Sequence, residues 1–187
     1  MNGNAAQQLD GDLQPGEGTS QYLTFRLGDE DYGVDILKVQ EIKGWTEVTP
    51  MPNTPEAILG VINLRGSVVP VVDLRRHFGL AEVPRGPTTV IIVVRADDGK
   101  GSVRTIGVVV DSVSEVYNIP VSEVQPPPPA ADGVCNAIAG LVTVDEEMII
   151  LLDIDNLMVN GVLGRLDEDP GEEPEQCAHN GESHEDQ

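Results

Sequence analysis

Basic residues are scarce in this chain of 187 residues: 11 Lys and Arg stand against 32 Asp and Glu, for a net charge of -21 with the histidines neutral. A nucleic-acid binder needs clustered cations to displace the counterions of phosphate, so that class of partner is excluded, and anionic lipid with it. Cysteine is almost as rare. Cys135 and Cys177 lie far apart and make no disulfide framework, which points to a reducing compartment. Long apolar runs are missing too: VIIVV at 90–94 and MIILL at 148–152 are far too short to cross a bilayer. Met1–Ser20 has neither the basic nor the apolar region of a secretory signal. The expectation is a soluble cytoplasmic protein with no direct membrane insertion.

The charge is unevenly spread. Residues 1–20 carry -3 and residues 167–187 carry -9, both without a single Lys or Arg, while the stretch between holds all the basic residues and a net -9. Neither tail has enough large apolar groups to offset the entropy of ordering, so residues 1–20 are expected to be a flexible N-terminal tail and 167–187 an acidic disordered one. Residues 21–166, dense in Val, Ile and Leu, are long enough to bury a core without disulfides.

Within that stretch β signals dominate. YLTFRL at 22–27, the turn GDED and YGVDI at 32–36 read as a hairpin. Further strands are expected at 61–64, 68–74, 88–95, 105–113, 138–144 and 148–154, with short spacers of Gly, Pro, Asp or Asn. That spacing argues for barrels or a sandwich rather than a doubly wound parallel sheet. Short helices are expected at 55–60, with Thr54 as cap and Gly60 as stop, at 74–80 behind Asp73, and at 153–161. Pro126–Pro129 reads as a rigid spacer, and no repeat at a fixed period is evident.

Catalytic constellations fail one by one. No Gly-rich string leads into Lys and Ser/Thr, and no G-x-G-x-x-G opens a helix. DEDYG at 29–33 lacks the alternating ligands of an EF-hand loop. Cys177, His179 and His184 resemble a metal trio on paper, but they sit in the acidic tail with nothing apolar to organise them. His77, the one histidine inside the expected domain, follows two arginines near a helix end, and no nucleophile elbow is present. The expectation is therefore no enzyme, no metal and no cofactor. What remains is GVINLRGSVVPVVDL, in which Gly66 permits a turn just after Arg65 and leaves a guanidinium at a strand end. Arg65 either reaches outward or pairs with Asp73 or Glu41.

LGDEDYGVDILKVQEI at 27–42, NTPEAILGVINLRGSVVPVVDLR at 53–75 and TIGVVVDSVSEV at 105–116 closely resemble the CheW chemotaxis coupling proteins, in order, from about Gln21 to about Met158. The resemblance implies an all-β domain of two five-stranded SH3-like barrels around a shared core, with no enzymatic activity. It implies two partners, the regulatory domain of a CheA-type histidine kinase and the hairpin tip of a methyl-accepting chemoreceptor, hence a peripheral place at membrane receptor arrays. Carried over to this sequence, the receptor-binding positions are Val39 and Glu41 of VQEI together with Asn63, Leu64, Arg65 and Gly66 of NLRG. The kinase surface is left open, with Ile36 and Leu37 as candidates. A non-flagellar chemosensory circuit is the alternative setting for the same adaptor. The segment PPPPAADGVCN and the acidic C-terminal tail depart from the family pattern. No receiver-like or ATP-binding sequence flanks the domain, so neither a fused receiver arrangement nor a whole kinase is expected.

Overall fold

The run VIIVV at 90–94 is apolar throughout because its strand is covered on both faces. This is seen in a computed structural model that describes residues 18–127 and 137–162. The strand is β6 (Val90–Asp97): Ile91 and Val93 point into one barrel, while Ile92 and Val94 point into a core shared between two. The other strands, in chain order, are β1 (Thr19–Leu27), β2 (Glu30–Asp35), β3 (Val39–Gly44), β4 (Ile58–Leu64), β5 (Ser67–Asp73), β7 (Val103–Val110), β8 (Ser112–Pro120), β9 (Ile138–Val144) and β10 (Glu147–Leu152). Two short helices follow the paired hairpins: α1 (Leu74–His77) after β5, and α2 (Ile154–Asn156) after β10, the latter running into a π-helical turn over Leu157–Val162. As expected, the Asp73 carboxylate caps α1, accepting from the N–H of Arg75 and Arg76.

The strands form two mixed five-stranded sheets. Barrel I has the order β8-β1-β2-β10-β9 and barrel II the order β3-β6-β7-β5-β4, with β2/β10 and β5/β7 parallel and every other pair antiparallel. Each sheet closes through one further bridge. Thr49, beyond β3, exchanges backbone hydrogen bonds of 2.9 Å with Val61 on β4, and Gln125, beyond β8, exchanges bonds of 2.8 Å with Leu141 on β9. Closure brings backbones so near that only glycine fits. A Cβ at Gly60 would overlap the Thr49 carbonyl, and one at Gly140 would run into Val124 and the Gln125 carbonyl. The expected all-β architecture of two five-stranded barrels around a shared core is what is found. The shared core takes Leu23, Phe25 and Val34 from barrel I and Ile92, Val94 and Ile106 from barrel II.

The same pairings expose a repeat that the sequence did not make evident. Adding 80 to a residue of the β4–β5–α1 unit gives its counterpart in β9–β10–α2: Gly60 becomes Gly140, Arg65 becomes Asp145, and the helix cap Asp73 becomes Asp153. The N–H of Asp73 reaches the Ala57 carbonyl at 2.8 Å, and that of Asp153 reaches Ala137 at 2.9 Å. Each repeat is a hairpin, a single strand, a second hairpin and a helix. The leading hairpin of each lies in the opposite barrel from its other strands, so both barrels are built from both repeats.

Some expectations are corrected. Residues 55–60 are not a helix: a turn at Glu56 and Ala57 leads straight into β4, because Ile58 buries its side chain opposite Val72 and Gly60, at φ 140°, forms a bulge there. Strand pairing outweighed a cap and a stop worth about 1 kcal/mol each. Thr19 and Ser20, expected in the flexible tail, pair with Pro120 and Ile119 as the start of β1. Strands β3 and β8 went unread because Val39–Gly44 and Ser112–Pro120 mix polar with apolar residues on half-exposed edges. Residues 1–17, Pro128 and Pro129, Cys135, and the trio Cys177, His179 and His184 fall outside the described residues, as does the tail 167–187.

Candidate functional site

The β4–β5 hairpin turns through Arg65 at φ 51° and Gly66 at φ 90°. Two consecutive left-handed residues give a tight hairpin turn whose twist matches the strands, and a glycine in the second place lowers its cost. Asn63 holds the turn from below: its Oδ1 accepts from the Gly66 N–H at 2.8 Å. Arg65 is thereby lifted clear of the barrel. Its side chain is 84% exposed, and one guanidinium nitrogen donates to Glu41 Oε2 on β3 at 2.8 Å.

The structure thus resolves the two readings of Arg65 together. It does pair internally, with Glu41 and not with Asp73, yet an exposed pair of this kind is worth only about 0.2–1 kcal/mol and can open for a partner. Asp73 is occupied elsewhere, capping α1 and accepting from Arg85 at 3.2 Å. Of the other expected positions, Leu64 packs into the interior of barrel II and Val39 against the shared core. A register shift between Val39 and Glu41 separates their directions. Leu37 stands 86% exposed on the 3-10 turn Ile36–Lys38, whereas Ile36 packs against the core, so only Leu37 offers free apolar area. His77 closes α1 with its ring edge-on to Phe78 at 5.1 Å.

Sequence reasoning missed a second cation at this end of the barrel. Glu41 is opposite Val93, and Arg95 lies two residues further along β6, so both side chains leave the sheet on one face. Arg95 is exposed and forms no ion pair among the described residues. Beside it, Thr105 donates through its hydroxyl to Gln40 Oε1 at 3.3 Å. Val68, 70% exposed on β5, adds apolar area close to the Arg65 turn. The signal was present in the sequence as the arginine that ends TTVIIVVR.

Two ion-paired latches tie the barrels together, and the repeat relates them with opposite polarity. Arg75 of α1 grips Asp111, between β7 and β8, through Nε at 2.7 Å and a terminal nitrogen at 2.5 Å, and the Gly28 N–H of the β1–β2 turn adds a bond of 2.8 Å. Burial alone would push the Asp111 carboxyl up, but the Arg75 hydrogen bonds, the Gly28 N–H and the Arg75 charge outweigh it and hold it below its ordinary range. Eighty residues after Arg75 stands Asp155, which accepts from Lys38 at 2.6 Å and from the Asp97 N–H at 2.7 Å. Cation and carboxylate have exchanged places.

The same reversal appears at the hairpin tips. Where repeat one has Arg65 and Gly66, repeat two has Asp145 and Glu146, both also at positive φ, 51° and 71°. Charge is accordingly segregated. Residues 19–35, 112–125 and 138–153, the elements of barrel I, hold Arg26 as their only basic side chain against ten carboxylates, whereas residues 36–111 hold nine basic and eight acidic ones. Tyr117 on β8 registers this: burial and then Glu115, Asp145, Glu147 and Asp31 all push its hydroxyl up. No group of three or more His, Cys, Asp or Glu residues poised to hold a metal is present among the described residues, and none of their helices is long and apolar enough to cross a membrane.

Two interlocked barrels, with an ion-paired arginine at one hairpin tip and carboxylates at its counterpart, define a small all-β domain. The model of the CheW-like domain family matches residues 21–161. This chain belongs to the CheW family. It is 41% identical over 148 residues to the chemotaxis protein CheW of Klebsiella aerogenes, covering 79% of this chain and 86% of that protein. It is 35% identical over 140 residues to protein FrzA of Myxococcus xanthus, covering 74% and 84% respectively. Among solved structures, the scaffolding protein TtCheW of Thermoanaerobacter tengcongensis superimposes with a TM-score of 0.67 at 34% identity, over 74% of this chain and 92% of that one.

Proposed function

We propose that this chain is a non-catalytic cytoplasmic adaptor that couples methyl-accepting chemoreceptors to a CheA-type histidine kinase. The observation that carries the reading is the exposed Arg65 at the tip of the β4–β5 hairpin, in a domain of the CheW family. A receptor hairpin is an antiparallel pair of helices with carboxylates and backbone carbonyls along its surface. Arg65 offers it a planar donor fork, Glu41 sets the register by accepting in return, and Val68 beside the turn supplies exposed apolar area. Val39 and Leu64 support the face from within, and Asn63 and Gly66 shape the turn. Leu37 is the apolar residue proposed for the kinase contact, with Ile36 anchoring its turn.

The test is a binding assay of the chain against receptor cytoplasmic fragments and against CheA, with Arg65→Ala and Arg65→Glu alongside. Arg65→Glu is expected to weaken receptor binding by about 2–5 kcal/mol, some 30-fold or more, with kinase binding retained. The unfolding midpoint should hardly move, because the Glu41 pair is exposed. A wild-type chain that binds neither partner overturns the reading, and full receptor affinity in Arg65→Glu removes Arg65 from it.

A further inference from the structure

Glu41 lies between two arginines. Arg65 donates to it from the β4–β5 tip at 2.8 Å. Arg95 continues the row of Ile91 and Val93 that lines barrel II, and Val93 is the residue opposite Glu41. Diagonal neighbours of this kind on paired strands are about 7–8 Å apart, within reach of long side chains. Both arginines belong to the same end of the sheet: β5 runs parallel to β7 with Val71 beside Gly107, which sets the Arg65 turn at the end where Arg95 pairs with Thr105. Lys43, opposite Ile91, is on the far side of Glu41 from that end. Asp97, two residues beyond Arg95 on β6, is the other carboxylate of that row, and its Oδ1 accepts from the Gly99 N–H at 2.9 Å.

The Arg65–Glu41 pair has unequal members. Arg65, 84% exposed, exchanges one partner for another at little cost, whereas Glu41 is only 25% exposed. A carboxylate left there without its donor forfeits a bond that water replaces only in part. Arg95, exposed and with no ion pair among the described residues, is the donor at hand.

We propose that Arg95 is a positioning residue for the receptor contact: as Arg65 turns its guanidinium to a receptor carboxylate, Glu41 passes from Arg65 to Arg95. One carboxylate oxygen bonded to Arg95 holds Glu41 in place and leaves the other for a receptor donor. Arg95 thus acts on the receptor through Glu41 and not by touching it. The timing of the exchange rests on the assignment of the Arg65 face to the receptor, whereas the exchange itself rests on the register of β3 on β6 and on the spare guanidinium.

The exchange is read without receptor from the arginine Nε–Hε signals in NMR spectra of the full chain. In the wild type, Glu41→Gln is expected to shift the Arg65 signal and leave that of Arg95 in place. In Arg65→Ala the Arg95 signal should move, and adding Glu41→Gln should return it. An Arg95 signal indifferent to Arg65→Ala, or one that answers to Asp97→Asn in place of Glu41→Gln, overturns the exchange. In binding to a chemoreceptor cytoplasmic fragment, Arg95→Gln is expected to lose about 3- to 10-fold in affinity at an unchanged Tm, most of it recovered in Arg95→Lys. In a Glu41→Gln background the same change should cost nothing. An equal loss in both backgrounds means direct contact with the receptor and overturns the positioning role, as does wild-type affinity in Arg95→Gln. A wild-type chain that binds no receptor, with the Arg95 signal still moving in Arg65→Ala, overturns the receptor reading and leaves the exchange between the arginines standing.

Discussion

Removing the Asp111 carboxylate tests how the two barrels are held at one orientation. Asp111 accepts a two-pronged grip from Arg75 at 2.7 and 2.5 Å and a third bond from the Gly28 N–H at 2.8 Å, so one side chain joins the β1–β2 turn of barrel I to α1 behind barrel II. The two side chains are only 14% and 28% exposed, which limits screening by water. Hydrogen bonds to charged groups contribute about 1.5–3 kcal/mol each, but three on one carboxylate are not additive. Asp111→Ala also leaves the largely buried Arg75 guanidinium without its main partner. The expected loss is about 3 kcal/mol, or a fall in Tm of roughly 10 °C for a domain of this size. Urea unfolding measures it directly. The pH dependence supplies a second check against Asp111→Asn. Because the folded carboxyl titrates below its unfolded value near 3.9, its stabilisation is fully present above that pH and is lost as pH falls through the lower folded value. The gap between wild type and Asp111→Asn should therefore stay constant from about pH 5 to 7 and close below about pH 4. A loss under about 0.5 kcal/mol in Asp111→Ala, or a gap unchanged at pH 3, would refute the latch.

The counterpart latch is more exposed, at 36% and 37%, so Lys38→Met should cost only about 0.5–1 kcal/mol by the same urea assay. Gly140→Ala is expected to destabilise by about 2–3 kcal/mol, since its Cβ meets Val124 and the Gln125 carbonyl, while Gly44→Ala, with open space around it, should stay within about 1 kcal/mol; thermal melts of the pair decide. Glu146→Gly should stabilise by a few tenths to about 1 kcal/mol, because it relieves a left-handed residue at φ 71° and removes one of three adjacent carboxylates, and a lower Tm would count against that account.

Much of the fold was legible because strands covered on both faces must be apolar throughout. VIIVV and MIILL announced themselves for that reason, and the hairpin of residues 22–36 was fixed by its Gly-Asp turn. Edge strands carry no such signature: VQEIKG and SVSEVYNIP are half-exposed, and their pairing is decided by partners distant in sequence. PEAILG imitates a helix start, yet its Ile58 and Gly60 answer to β5 and to Thr49, which local propensity does not register. At the site, NLRG was readable because a glycine following an arginine between β-formers has a physical reason. Arg95 was not, since its nearness to Glu41 comes only from the register of β3 on β6.

The repeat stayed hidden because the two copies share geometry but few residue identities. Gly60 and Gly140 both stand where a backbone must approach, and Asp73 and Asp153 where a helix must be capped, but Arg65 corresponds to Asp145 and Arg75 to Asp155. Reversing charge at equivalent places leaves the fold untouched, because tips and latches sit outside the three apolar clusters. It does change what each barrel attracts, giving one body an acidic barrel and one in which cations and carboxylates nearly balance. Since each barrel borrows its leading hairpin from the other repeat, neither can open without the other. The close-packed core between them leaves little freedom for the barrels to turn. A partner held at the Arg65 face is therefore fixed in orientation relative to whatever barrel I holds, and the latches at Asp111 and Asp155 determine that angle.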